Sequence, residues 1–501
     1  MNWLRANQLE SDTFVAILWY EIGGQMLKKM FVWGSVFFIA VFFTYAIWVV
    51  VAANRSATIS VDYIAKVNEV ANAVPEEERA WPLYREAGIA LKNNPMPSSV
   101  FIDNEVPEPA WPSDEGWSHF DSWLSAHKKS MHTIHDATNK TGFGFLVSDT
   151  TSETDKELWP ESFFAQSENQ ETGLMLDVRM PHLGVMREMA RALSIDAKSA
   201  AFYGDSNRCL QDINSMLKLG THTREHPFLI ADLVSFSIYS IAFQTIGDIL
   251  EHQPTLFSSD QFVLLENNLS SLDDQLKIRL EGERYFMFDF LQRIYSDNGS
   301  GDGRVVPLAI ETFQILADEG YFFLGTAPPF SFFSTPFIPF SDILHASRKE
   351  MLEEYNRRID KSEALIGMPL FEIKENPSLL TNEYQPSLSV FDTYFLVNLL
   401  TPALDKAIMQ GEIVRGKRDA TLAALFAVQM HVSTGKWPVD LAKAETMDVW
   451  SGNPLLIKLQ DGQPIIYSVG FNQKDDGGIH DRRALDWHGS KNDWVYWPSP
   501  R

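Results

Sequence analysis

The sequence predicts a mainly α-helical protein: an N-terminal transmembrane helix, a large irregular α-helical ectodomain, and a small C-terminal α+β module. Three observations carry this. The chain has an uncharged apolar run from Met30 to Ala53. Apolar residues then recur at three- and four-residue spacing from Val61 to about Gly416, and short alternating stretches follow. With 501 residues, 45% hydrophobic and 22% charged, the composition is that of a globular protein large enough for several domains, so general disorder and collagen-like architecture are excluded. Acidic residues outnumber basic ones 66 to 42, a net charge of −24, and a surface of that sign repels phosphates. Nucleic acid is therefore not an expected partner. The single cysteine, Cys209, excludes an internal disulfide framework and a thiolate-rich zinc site. It reads as a small buried apolar residue.

Residues 1–29 are expected to form a cytoplasmic tail and 30–53 the span. As a helix, the 24 residues from Met30 to Ala53 extend about 36 Å, enough for a hydrocarbon core of roughly 30 Å with some tilt. A buried core helix of this length normally shows a polar stripe, and this one shows none. Lys28 and Lys29 abut its N-terminal end, with Arg5 farther back, against Arg55 and Lys66 on the other side. That asymmetry places the N-terminus in the cytoplasm and the C-terminal part outside, a single-pass protein of the cell inner membrane. Val51-Ala52-Ala53 offers a small-residue cleavage site, but the run is longer than the 7–15 apolar residues of a signal peptide. An uncleaved anchor is the expectation. The apolar Phe14–Tyr20 and the Met26-Leu27-Lys28-Lys29 start suggest that translation begins at Met26.

Residues 54–415 read as the helical domain. Helical spacing is clearest in Met186–Leu193, Ile230–Leu250, Phe262–Leu280 and Leu308–Leu316, with stop signals at Gly204-Asp205, Gly220 and Pro254. Ala197–Leu219 reads as helix, Gly-Asp turn, helix, similar to a tetratricopeptide hairpin, but no second copy recurs at a fixed period. Residues 93–118 hold five prolines and read as a surface loop. Residues 327–340 hold five phenylalanines and four prolines, which places the rings on extended backbone, packed over the protein's own helices or offered to a partner or membrane surface.

Residues 416–501 form the last module. Asp419–Val432 is an Ala-rich helix ended by Gly435-Lys436-Trp437-Pro438. Strands are expected at Leu455–Leu459 and Ile465–Val469, joined through Asp461-Gly462, with a third at Trp494–Trp497. Read in order, an Ala/Leu helix, GKWPVDL, DVWSGNPLLIKL, YSVGFNQKDDGG and NDWVYW make residues 418–501, about a sixth of the chain, resemble the globular part of the major pseudopilins of type II secretion. DVWSGNP carries one residue more than that family's strand start, and nothing like the family's Phe-Thr-Leu-x-Glu leader junction occurs at Met26–Ala53, so a fibre-forming pilin is not expected. The whole layout also looks like large membrane-anchored helical proteins of planctomycete bacteria. The pseudopilin resemblance implies a Ca2+ site in which Asn472, Asp475, Asp476 and Asp493 supply oxygens. Calcium takes six to eight, so carbonyls near Ser468 or water would complete the shell. The family's loop Asp is here Asn472, which removes one charge.

Few patterns point to catalysis. His222-Thr-Arg-Glu225-His226 matches H-x-x-E-H, but Pro227 disfavours helix at His226 and Gly220 reads as a helix end, so the motif falls in a connection. His127, His132 and His135, with Asp121 and Asp136, form a denser group in which a zinc or iron site is one reading and a polar helix face the other. Asp297–Arg304 has the composition of a calcium loop without the EF-hand spacing. The expected function is therefore a membrane-anchored extracytoplasmic binding or scaffold protein with a protein partner in the envelope. The alternatives are a membrane-tethered metal-dependent hydrolase using the His127–His135 group, or an accessory of a secretion or pilus-like machine.

Overall fold

The structure is a computed structural model that describes residues 2–97, 110–148, 152–159, 173–307, 338–380, 391–401, 404–486 and 492–500. It is mainly helical, with one small sheet. Contacts divide the chain into two units: residues 1–58, 291–351 and 388–395 in one, and 59–290, 352–387 and 396–501 in the other.

In the first unit, α1 (Asn2–Ala53) is continuous, so the helix begins well before the apolar run. Large apolar side chains from Met30 to Val51, among them Phe31, Trp33, Phe38 and Phe42, are exposed. The C-terminal end of α1 packs on a short helix, Ile338–Leu344. There Asp342 receives two 2.7 Å hydrogen bonds from Arg55 and one of 2.9 Å from Trp48 Nε1. Pro339 occupies the first turn of that short helix, where a missing N–H costs nothing. Phe340 is thus helical rather than extended; residues 327–337 and the Leu308–Leu316 stretch lie outside the described residues. The Asp297–Arg304 loop is tied by its own turns: Asp297 Oδ1 accepts the N–H groups of Gly299 and Gly301, and Arg348 pairs with Asp297 at 3.2 Å.

The second unit is built on helices α2 (Trp81–Asn93), α3 (Trp117–Ala126), α4 (Lys128–Thr138), α5 (His182–Phe202), α6 (Ser206–Thr223), α7 (Leu229–His252), α8 (Ser259–Ser270) and α9 (Leu404–Thr434). The α5–α6 hairpin turns at Gly204, in the left-handed region at φ 77°, and Asp205 caps α6 by accepting the Arg208 N–H. Helix α7 packs against α5, α6 and α9 at once, and α2 pairs with α4. Among the described residues two helices are long and apolar enough to cross a membrane, Lys28–Ala53 and α7, but 56% of the α7 window is buried against 6% of the first. Buried Asp232 and Asp248 in α7 are ion-paired, Asp248 to Lys198 at 2.7 Å. That makes α7 a core helix, apolar nearly all round because it is surrounded.

In this unit two sequence expectations change. Gly220 does not end α6, which continues to Thr223. It is a contact glycine: a Cβ there would lie 2.5 Å from the Tyr239 ring, so its absence lets α6 and α7 approach. The helical spacing of Phe262–Leu280 is interrupted after Ser270 by a 3-10 turn at Asp273–Leu276. Leu272, Leu276, Ile278 and Leu280 are still buried, but the carbonyls of Asp274 and Lys277 are taken by Arg224 instead of by a helical ladder.

The C-terminal elements fall close to expectation. Strands β1 (Leu456–Gln460), β2 (Gln463–Ser468) and β3 (Trp494–Trp497) form an antiparallel sheet in that order. Asp461 and Gly462 are both at positive φ, 52° and 80°, as a two-residue hairpin turn of the favoured hand requires. Buried Asp448 organises the strand start, accepting from Trp450 N, Ser451 Oγ, Ser468 Oγ and Val469 N. Helix α9 begins at Leu404, fifteen residues before the Ala-rich stretch, and contacts β2 and β3.

Candidate metal centre

The histidine group of residues 127–135 does not act together. His127 is turned onto Trp123, with its Nδ1 2.8 Å from the Trp123 carbonyl and the rings 4.4 Å apart. His132 pairs with Asp136 at 3.1 Å on the exposed face of α4. His135 points the other way, into the protein, where it meets two acids distant from it along the chain. Its Nε2 lies 3.0 Å from Asp212 Oδ1, and donor atoms of His135, Asp196 and Asp212 all fall within 4.8 Å of one another. The three come from α4, α5 and α6. Asp196 and Asp212 are brought together by the α5–α6 hairpin, and α4 packs against both helices.

The hydrogen bonds around His135 fix what Nε2 offers. Thr138 Oγ1 donates to the His135 carbonyl at 2.8 Å, so its oxygen is left to accept from Ser215 Oγ at 3.1 Å. Ser215 then accepts from His135 Nδ1 at 2.8 Å. A neutral ring with its hydrogen on Nδ1 presents a lone pair at Nε2. That lone pair faces a carboxylate oxygen, an arrangement that calls for a proton or a cation between them. Asp212 is fully buried, and neither of its oxygens accepts from an N–H or hydroxyl donor. The Asp196 carboxyl lies within hydrogen-bond reach, so the two acids share a proton where no ion takes its place. Burial pushes the Asp212 carboxyl well up from its ordinary value, and Asp196 beside it adds to the shift. Burial likewise raises Asp196, offset in part by Arg208, and lowers His135. Two ligands each about 2.0–2.1 Å from one ion, at angles of roughly 90–109°, sit about 2.9–3.4 Å apart, which the 3.0 Å separation fits. His135 and Asp196 line a cleft of about 640 Å³, with Lys128, His132, Tyr203 and Arg208, and Asp212 lies buried behind them.

No known family, curated protein or solved structure matches this chain. The likeness of residues 418–501 to pseudopilin heads therefore rests on its own motifs.

The other sequence candidates occupy structural roles. His222 is buried, its Nδ1 2.9 Å from Tyr84 Oη and its Nε2 3.2 Å from the Lys140 carbonyl. Glu225 accepts the N–H groups of Phe143 and Gly144, both at 2.7 Å, and so pins a loop. Burial drives the His222 and His226 rings down to about 4, keeping both neutral. Cys209 is buried, and burial raises its thiol.

The four residues of the calcium expectation do meet at one turn. Asn472 Nδ2 donates to Asp476 Oδ2 at 2.8 Å, and Asp475 Oδ1 accepts from Tyr467 Oη at 3.1 Å and Gly477 N at 2.9 Å. Asp493, buried, accepts from Asp476 N at 3.1 Å and Gly478 N at 2.7 Å.

Asp196 and Asp212 left one legible signal. Asp212 lies in the buried stripe Cys209, Ile213, Met216 of α6, and an acid on an apolar face asks for a partner.

Proposed function

We propose that this chain is a membrane-anchored extracytoplasmic protein whose helical body binds a divalent transition-metal ion through His135, Asp196 and Asp212. The observation that carries it is the buried Asp212 carboxylate, without an N–H or hydroxyl donor and facing the lone pair of an imidazole. One imidazole and two carboxylates suit zinc, manganese or iron, and the Ser215–His135 hydrogen bond is the kind of outer contact that orients a ligating ring. Because His135 and Asp196 line a cleft, the ion would keep positions on that side open to water or a bound molecule. That supports metal-dependent hydrolysis as the second reading, with Lys128 and Arg208 placed for an anionic substrate.

The test uses full-length protein purified without a polyhistidine tag, stripped with chelator and titrated with Zn2+ and Mn2+ by calorimetry. One ion per chain is expected, and His135→Ala should weaken binding about hundredfold or more. Affinity should fall as the pH is lowered, because the raised carboxyls of Asp196 and Asp212 take up protons that the ion must displace. Asp212→Asn should abolish binding yet leave the metal-free protein as stable as the parent or more so, since it removes an unsatisfied buried acid. Absence of stoichiometric metal, with Asp212→Asn still stabilising, would identify a shared proton instead of an ion.

The C-terminal module is read as similar to a pseudopilin head, with calcium as a structural ion at Asn472, Asp475, Asp476 and Asp493. What supports it is the convergence of those four residues on one turn. Calcium at a hundred times its dissociation constant should stabilise that module by roughly 2.7 kcal/mol. Melting the full chain in calcium and in chelator measures it, and coincident curves in the two conditions would remove the site. Binding or organising an envelope partner, including a secretion machine, follows from the anchor and this module; crosslinking of the full chain and of a variant lacking 416–501 tests it.

A further inference from the structure

A second cleft, of about 490 Å³, opens between α7, α9 and the C-terminal residues that carry β3. Its chemistry is opposite to that of the protein as a whole. In a chain of net charge −24, no Asp or Glu among the described residues lines it, while Lys417, His480 and Arg482 do. Lys417 is the telling residue. It is half-buried, and burial lowers its amine. No acid among the described residues forms an ion pair with it, whereas Lys198 of α5 has Asp248 of α7 at 2.7 Å. A partly desolvated ammonium facing a cleft without a counter-charge is an anion's natural partner, and an anion there would offset the cost of its burial.

The remaining walls say what kind of anion. His480 Nδ1 accepts the Val495 N–H at 3.2 Å, which leaves the ring hydrogen on Nε2 as a donor. Ser237, Ser240, Gln244 and Thr421 add neutral polar groups from α7 and α9. Trp494 and Trp497 supply apolar faces, and the Trp497 indole is fixed by its 2.9 Å hydrogen bond to the Gly247 carbonyl. A volume of this size, mostly apolar with a few convergent donors, is that of a small-molecule site.

We propose that this cleft binds a small organic anion, its carboxylate or phosphate set against Lys417 and its flat or apolar body against Trp494 and Trp497. The site is separate from the His135 centre and does not depend on it.

The test is calorimetry on the full chain in neutral-lipid nanodiscs with three probes: 3-phenylpropionate, phenyl phosphate and uncharged 3-phenylpropanamide. At least one anion should bind about tenfold or more tightly than the amide, and which one does so separates a carboxylate from a phosphate ligand. Lys417→Met should cost that anion about tenfold in affinity with the melting curve retained, and Lys417→Arg should keep it within about threefold. The proposal is overturned if the amide binds as well as both anions, if Lys417→Met leaves the preferred anion unaffected, or if none binds at about 10 mM.

Discussion

Asp232→Ala should destabilise the protein by about 3–5 kcal/mol, a large share of the roughly 5–15 kcal/mol that holds a typical domain folded. Asp232 is fully buried in the first turn of α7 and accepts from two arginines: Arg224 Nε at 2.8 Å, and Arg279 through Nη2 at 2.7 Å and its backbone N–H at 2.7 Å. Those arginines also hold backbone. Arg224 donates to the carbonyls of Asp274 and Lys277, and Arg279 to that of His226. One carboxylate thus ties the end of α6, the start of α7 and the segment 273–279 that follows α8. Removing it leaves Arg224, 5% exposed, as an uncompensated buried cation, whereas Arg279, at 35%, can still reach water. Asp232→Ala with Arg224→Met should therefore be more stable than Asp232→Ala alone, since the stranded charge is gone. Thermal melts of the full chain in detergent decide this. A single variant within about 1 kcal/mol of the parent would show the network to be of little consequence to stability.

The same network shows where sequence reading stops. The apolar spacing of Ile230–Leu250 locates α7 within two residues, because a surrounded helix leaves its mark locally. The hairpin and β3 are legible for the same reason: Asp461-Gly462 and Trp494–Trp497 carry their turn and alternation within a few residues. Asp232 in that apolar run signals a buried partner, but nothing local names Arg279, 47 residues on. The metal centre is harder still. His135 lies 61 residues before Asp196 and 77 before Asp212, and local density points to His127 and His132, neither of which is among the three converging donors. Gly220 was ambiguous in principle: a helix end and a close helix contact both favour glycine, and only Tyr239 across the interface separates them. Periodicity reports which face is buried; it does not report which long-range group arrives there.

Ile39→Arg combined with Phe42→Arg should release the protein from the membrane fraction or block its insertion altogether. Each arginine near the middle of a span costs about 2.5–3.5 kcal/mol on insertion scales, and these two lie one turn apart on an exposed apolar surface. The geometry of α1 sets where the lipid should end. Trp48 Nε1 and Arg55 both bind the Asp342 carboxylate, and Tyr45 lies against Phe340 with ring centroids 5.7 Å apart. A carboxylate and a guanidinium belong at the interface, as do the tryptophan and tyrosine beside them. From Met30 to Ile47 the helix then covers about 27 Å, close to a hydrocarbon thickness of roughly 30 Å, with Lys28 and Lys29 long enough to reach the opposite headgroups. Ile59→Arg, an exposed apolar position beyond Arg55, is the control and should leave membrane retention unchanged. Alkaline extraction of membranes followed by detection of a C-terminal tag reads both. If the double-arginine protein still resists extraction, the hydrocarbon does not surround this helix. Protease added to intact spheroplasts should remove the C-terminal tag from the parent, and its protection there would reverse the orientation that Lys28 and Lys29 imply.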